Sequence, residues 1–308
     1  MHKCIAFYFL FFSCAVANCQ EEESDESPVL AMIGTEAITQ AEVDFHLSRP
    51  AGSLKLSRAA LENTLLLMAQ QRQALQTLRK SGRAADKAEL YRWLEEKYPP
   101  DDKSEGESLT AEQILAFIAK GQGVSPKNAR EQIAFRLSWK RYLSVHLNRK
   151  NLARHFGNQT KRFDGTEFRI RMISLPAPAG VCTSRDKAVA QLEKDLAVVA
   201  EIDGEQELPK KSLRDGVEVM QSRWVRGMGD LDNRIVDAML NLEEGSWSPI
   251  FHTATGVHAL NLLEVEEGDK ELSQVEDVVR VHMLSFLLEG LARQSAKELP
   301  LKRLSVGG

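Results

Sequence analysis

Gly245-Ser246-Trp247-Ser248-Pro249-Ile250-Phe251-His252-Thr253-Ala254-Thr255-Gly256-Val257-His258-Ala259-Leu260-Asn261-Leu262-Leu263-Glu264 is the stretch on which the fold turns. Gly245 to Ile250 reads as a turn and a short strand, because Gly, Ser and Pro punctuate the chain before an apolar residue. Gly256 to Leu263 reads as a closing strand: apolar residues dominate, and a glycine marks its start.

Upstream, Phe168, Ile170 and Met172 alternate with Arg169, Arg171 and Ile173. That is strand periodicity with one apolar face, and Arg169 and Arg171 are expected to face solvent. Ser184 is predicted to cap a helix whose Ala188, Leu192, Leu196 and Val199 share a face. A polar, loop-like segment from Asp203 to Asp215 follows. Val217 to Val225 reads as a short strand, and Ile235, Met239 and Leu242 mark a compact helix. Strands and helices in this order predict a small α+β domain of about 100 residues, spanning 164–267.

Residues 29–160 read differently, as mainly helical. Val29 to Ile38 forms two very short strands around Gly34-Thr35, and Thr39 with Glu42 makes a Thr-x-x-Glu capping box. From Ser57 a long helix places Leu61, Leu65, Met68, Leu75 and Leu78 on one side and ends near Ser81-Gly82, with a shorter helix from Leu90 to Tyr98. Pro99 to Gly106 breaks the pattern. Thr110 and Gln113 form a second capping box with Leu109 and Ile114 as a hydrophobic staple. Ser125-Pro126 opens a helix lined by Ile133, Leu137, Trp139, Leu143 and Leu147. At the far end Ser273 and Glu276 read as a capping box for a helix over 273–300. Its apolar side, Val275, Val279, Met283, Phe286 and Gly290, needs the helical region as partner.

The first 17 residues have the pattern of a signal peptide: Lys3, an apolar run from Ile5 to Phe12, then Ala15-Val16-Ala17 before the cut. The run is short of the roughly 20 residues a membrane helix needs. A lipid on Cys19 is the alternative, though Asn18 stands where that signal wants a small residue. Glu21, Glu22, Glu23, Asp25 and Glu26 make residues 18–28 an acidic solvated arm. The formal net charge of −4, with both signs interspersed, offers no basic field for nucleic acid. No Gly-rich phosphate loop supports nucleotide use. Cleavage leaves Cys19 and Cys182; a staple through the arm is not expected, and a catalytic thiol at Cys182 lacks an identifiable base.

Two sets of residues carry a resemblance. Val29-Leu30-Ala31-Met32-Ile33-Gly34-Thr35-Glu36-Ala37-Ile38-Thr39-Gln40-Ala41-Glu42-Val43 resembles the opening motif of the SurA-type and PrsA-type exported foldases. Gly245, Ser248, Thr253, Gly256 and His258 resemble the signature of the parvulin-type peptidyl-prolyl cis-trans isomerase domain those foldases carry. The resemblance implies a mainly α-helical chaperone-like domain plus a small α+β parvulin-like domain inserted before the C-terminal helix. It implies an extracytoplasmic, periplasmic folding factor that binds unfolded or nascent exported polypeptides and proline-containing segments. No cofactor and no metal are implied.

Within the resemblance, His258 and Thr253 are the polar members of the site, and Met172, Leu231 and Ile235 line the proline pocket. Met172-Ile173-Ser174 stands where the family has His-Ile-Leu, so Met172 takes the place of one imidazole of a buried pair. Met220-Gln221-Ser222-Arg223 replaces the Gly-Asp-Leu-Gly that precedes the strand end at Trp224. A purely structural reading of His258, with its ring satisfied by Thr253 or backbone, stays open. So does a non-catalytic binding or assembly protein that holds one dedicated partner. His252 and His258 lack the carboxylate or thiolate companion a metal would need.

Overall fold

A computed structural model describes residues 27–48, 56–99, 109–177, 182–202, 206–209, 213, 215–229, 231–253 and 255–303, the side chains of residues 58, 59, 182–184 and 303 excepted. The signal segment, Cys19, the acidic arm to residue 26 and most of the breaker run after Pro99 lie outside them, as do the side chains of Cys182 and Ser184. In chain order the elements are β1 (Val29–Ile33), β2 (Glu36–Thr39), α1 (Gln40–His46), α2 (Arg58–Lys80), α3 (Lys87–Lys97), α4 (Ala111–Gly121), α5 (Pro126–His146), α6 (Arg149–Asn158) and α7 (Thr160–Phe163). Then come β3 (Glu167–Pro176), α8 (Cys182–Val199), β4 (Glu218–Arg226), α9 (Asn233–Leu240), β5 (Phe251–His252), β6 (Gly256–Glu266), α10 (Leu272–Ser295) and β7 (Leu301–Arg303). The chain divides into two compact units, one ending at Ser144 and resuming at Leu287, the other running from Val145 to Phe286. No helix among the described residues is long and apolar enough to cross a membrane.

In the first unit, β1 pairs antiparallel with both β2 and β7. Gly34, at φ +61°, makes the β1–β2 turn, which a side chain would strain. Thr39 then starts α1 by accepting the Glu42 N–H while the Glu42 carboxylate accepts the Thr39 N–H, so two helix-end donors are satisfied reciprocally. Thr110 and Gln113 do the same for α4. Leu109 nevertheless stays 57 % exposed, so the expected staple onto Ile114 does not close. Leu75, Leu78, Leu90, Leu94, Leu115, Ile133 and Phe135 share a core with Leu288 and Leu291 of α10.

The second unit carries a four-stranded antiparallel sheet in the order β4-β3-β6-β5. Its two faces carry separate cores. Ile173, Leu175, Val257 and Ala259 pack with Ala188 and Leu192 of α8; Phe168, Ile170, Leu260 and Leu262 pack with Ile235, Val236 and Met239 of α9. Both faces of β3 are therefore covered, and this corrects the expectation for the arginines. Arg171 is only 2 % exposed. Its guanidinium donates to Asn261 Oδ1 (2.9 Å), Gln206 O (3.1 Å) and Ile202 O (2.6 Å) and lies 5.5 Å from the Trp247 ring centroid. Arg169 keeps partial exposure and pairs with Glu264 at 3.1 Å.

Three further expectations shift. The backbone of α8 begins at Cys182, which puts Ser184 inside the first turn rather than at the cap. The start of α10 is at Leu272, where the Gln274 side chain reaches back to the Glu271 N–H at 2.8 Å; Glu276 instead pairs with Arg280. Val275, Val279 and Met283 of α10 are buried, but Phe286 is 55 % exposed and Gly290 is also exposed, while Leu288, Leu291 and Ala292 are buried. Finally, the polar stretch after Asp203 is pinned by two buried leucines, Leu208 and Leu213.

Candidate functional site

His258 is the centre of a hydrogen-bonded row on the α9 face of the second sheet. Strand alternation puts Ile170, Met172 and Ser174 of β3 on that face with His258 and Leu260 of β6. The register pairs Ser174 with His258 and Met172 with Leu260. Ser174 Oγ lies 2.8 Å from His258 Nδ1, and Thr253 Oγ1 lies 2.7 Å from Nε2. Thr253 Oγ1 also meets Thr255 Oγ1 at 3.0 Å and accepts the Thr255 N–H at 3.2 Å. Ser174, His258 and Thr253 are all buried.

The residue opposite the imidazole is thus Ser174, not Met172. Met172 lies one pleat away, where it faces Leu260 on one side and Met220 on the other. Sequence reasoning missed Ser174 because its partner is 84 positions distant and only the pairing register reveals it.

Met172, Met220, Leu231 and Phe251 are half-buried and pack against a buried floor that includes Ile235 and Leu260. The Phe251 ring stacks on the imidazole, 5.6 Å between centroids at 29°. These side chains make a half-buried apolar patch, the dish, with one buried polar row beside it. Two arginines brace the β5 end: Arg185 donates to Thr253 O and Arg234 to His252 O, each at 3.0 Å. Phe251, Arg185 and Arg234 carried no signal in the sequence, since each acts through a contact distant along the chain.

Burial pushes the His258 pKa below its ordinary value, against the nearby Asp232 and Glu218 carboxylates, which raise it. The neutral imidazole has one donor and one acceptor nitrogen, and both are engaged by hydroxyls that rotate to suit. His258 is therefore a fixed dipole. It has no free nitrogen to take a substrate proton. Among the described residues no group of three or more His, Cys, Asp or Glu side chains is placed to hold a metal ion.

No family model matches the chain, and no curated protein matches it. Solved structures similar to it include foldases and SurA-like chaperones. The peptidylprolyl isomerase PrsA of Bacillus anthracis is 14 % identical, with 75 % of this chain and 94 % of that one covered and a TM-score of 0.32. The foldase protein PrsA of Streptococcus pneumoniae is 12 % identical over 88 % of this chain and 93 % of that one, TM-score 0.31. A structure from the work on PEB4 and Cj1289, SurA-like chaperones of Campylobacter jejuni, is 13 % identical over 90 % and 99 %, TM-score 0.25.

Proposed function

We propose that the protein is an extracytoplasmic folding factor of the SurA/PrsA type: a helical frame (29–160 with 273–300) holds unfolded exported chains, and the α+β domain (164–267) turns proline-containing segments over the dish beside His258. The observation that carries this reading is the half-buried apolar dish of Met172, Met220, Leu231 and Phe251 set against the Ser174–His258–Thr253 row. Rotation about an X–Pro bond needs no cofactor and no covalent step. It needs an apolar seat for the ring and a desolvated amide, so that the twisted form binds better than the planar one. The dish supplies the seat. The polar row fixes the edge of the dish by locking β3, β6 and the β5 turn together. Uncatalysed isomerisation takes tens of seconds, slow enough to limit the folding of exported chains. The signal-peptide pattern of residues 1–17 supports a place outside the cytoplasm, with release unless Cys19 is lipidated.

A proline-peptide isomerisation assay on the full chain tests this. A rate at least about tenfold above buffer is expected, falling to background in Leu231→Asp, which puts a charge into the dish. A rate equal to buffer reduces the domain to a binding module. One observation favours that second reading: both imidazole nitrogens are spent inside the protein. Suppression of aggregation of several unrelated denatured proteins is then the deciding measurement, because protection of none leaves only a protein that holds a dedicated partner.

A further inference from the structure

Met172 and Met220 stand opposite each other on β3 and β4, and Leu260 of β6 continues the row on the far side of Met172. Residues directly opposite on one face of an antiparallel pair have Cβ atoms about 4.5–5.5 Å apart, so the two thioethers are neighbours. Both pack against the core beneath the dish, and both are half-buried. Met68, Met239 and Met283 are buried. Met32 and Met228 are half-buried as well, but neither packs on the core beneath the dish.

Oxidation to the sulfoxide turns a flexible apolar side chain into a polar one. The new oxygen is a hydrogen-bond acceptor, and around it lie Leu231, Ile235, Leu260 and Phe251, whose side chains donate nothing. Either the patch takes in an unsatisfied acceptor or the side chain turns out to water, and in both cases a proline ring loses part of its apolar wall. Where the SurA/PrsA pattern has an imidazole at position 172, this chain carries a thioether, and Met220 sets a second one beside it. An exported protein works outside the glutathione and thioredoxin systems that keep the cytoplasm reducing.

We propose that Met172 and Met220 form a reversible oxidation site whose sulfoxides close the dish to proline: a peroxide-class oxidant switches the dish off, and enzymatic reduction of the sulfoxides switches it on again. The proposal rests on the reading of the dish as the proline seat. At each sulfur a lone pair attacks one peroxide oxygen. The S–O bond forms as the O–O bond breaks, and the departing hydroxide takes the proton of the transferred oxygen and leaves as water. Sulfur gives up two electrons and the peroxide accepts them. Reduction by a dithiol returns the oxygen as water and leaves a disulfide.

The test uses the full chain with isotope-labelled methionine methyl groups, hydrogen peroxide as oxidant, peptide mass mapping and a proline peptide. Met172 and Met220 are expected to oxidise about tenfold or more faster than the buried Met68, Met239 and Met283 while the far-UV circular dichroism stays unchanged. The proline-peptide rate, and the affinity read from the methyl shift of Met239 under the dish, are expected to fall about tenfold or more. The two methionine sulfoxide reductases, one for each epimer, are expected to restore both. Met172→Leu combined with Met220→Leu, a volume-conserving change, keeps its own starting values under the same peroxide, whereas Met32→Leu loses as much as the unsubstituted chain. Where the dish binds proline without turning the bond over, the affinity alone carries the test. Oxidation of the pair no faster than that of the three buried methionines overturns the proposal. So does an oxidised chain that keeps its rate and affinity, or a double-leucine variant that loses them equally. Values that stay low once mapping shows the thioethers restored overturn its reversibility. An unoxidised chain with a rate at buffer level and no methyl shift overturns instead the reading of the dish as a proline seat, and the switch falls with it, so the two failures are told apart before any oxidant is added.

Discussion

Arg171 and Arg169 stand two positions apart on β3, and their burial separates them energetically. Arg171 gives its donors to an asparagine and two backbone carbonyls inside the second unit. Removing it leaves those acceptors desolvated and unsatisfied, at about 1–3 kcal/mol for each group that water cannot reach. Arg171→Ala is therefore expected to cost about 3 kcal/mol or more in urea unfolding. Lysine does not rescue it, because one ammonium cannot reproduce a planar fork. Arg169→Ala removes a partly exposed pair with Glu264 and is expected to stay within about 1 kcal/mol of wild type. His155 Nε2 and His282 Nδ1 are 2.9 Å apart, with Phe163 and Phe286 rings around His155. Burial first, then the Arg162 cation and the His155 ring, hold His282 down to about 4, and burial with Arg162 lowers His155 as well. Arg162 is itself paired with Asp237, so some of its charge is already offset. The sign follows from linkage: the unfolded chain takes up the proton near pH 6.5, the folded one near 4. Stability is complete above about 6.5, declines as pH falls through that window, and levels off below it, with about 2 kcal/mol lost for a half-buried ring. His282→Phe is expected to flatten the slope of urea midpoint against pH between 6.5 and 4; an unchanged slope shows that other groups set it.

At the scale of elements, the joint between β3 and β6 carries the candidate site, and Gly256 decides how closely the strands approach. A Cβ on Gly256 would sit 2.4 Å from Leu175 O, a backbone atom that cannot move without shifting the strand. Gly256→Ala is expected to destabilise the second unit by about 2–3 kcal/mol. It should also disturb the Ser174–His258 register a pleat away, read as a shift of the His258 ring resonances in NMR, while Gly157→Ala, on α6 with open space around it and no positive φ, leaves those resonances in place. Elements whose cause is local were legible in the sequence. The Thr39–Glu42 and Thr110–Gln113 boxes span three residues each, and the alternation of Phe168, Ile170 and Met172 is a property of one strand. The Thr253–His258 contact is also readable, since only five positions separate the two. What was not legible has distant causes. Arg171 looks like a solvent-facing residue until α8 and the 206–208 segment cover it. Ser174 looks like a strand-end serine until the register sets it on His258. Helix α10 starts at Leu272, one residue before the expected 273, because the Gln274 side chain closes on the Glu271 N–H.

The first unit is discontinuous in sequence, and that sets how the whole molecule responds to shortening. Its core mixes Leu75, Leu78 and Leu115 with Leu288 and Leu291. Thr77 Oγ1 donates to Leu291 O and meets Ser295 Oγ, both at 2.9 Å, and Gln73 donates to Leu299 O at 2.7 Å. The last strand, β7, pairs with β1. A chain stopped after Phe286 loses all of these. Deleting two buried leucines alone removes roughly 3–6 kcal/mol of burial, comparable to the whole stability of many domains. The second unit keeps its sheet, both of its cores and the buried Val275, Val279 and Met283 of α10. The four tryptophans report the two units separately, because Trp93 and Trp139 belong to the first and Trp224 and Trp247 to the second. Two double variants, Trp93→Phe with Trp139→Phe and Trp224→Phe with Trp247→Phe, therefore isolate each fluorescence transition. In the shortened chain the first unit's transition is expected to vanish or fall by 10 °C or more, on the order of what such a loss produces at this size. The second unit's midpoint should move by no more than about 2 °C, and any proline-peptide rate should survive with it. Loss of both transitions together means that the units unfold as one cooperative block, and that the dish beside His258 depends on residues far outside its own sheet.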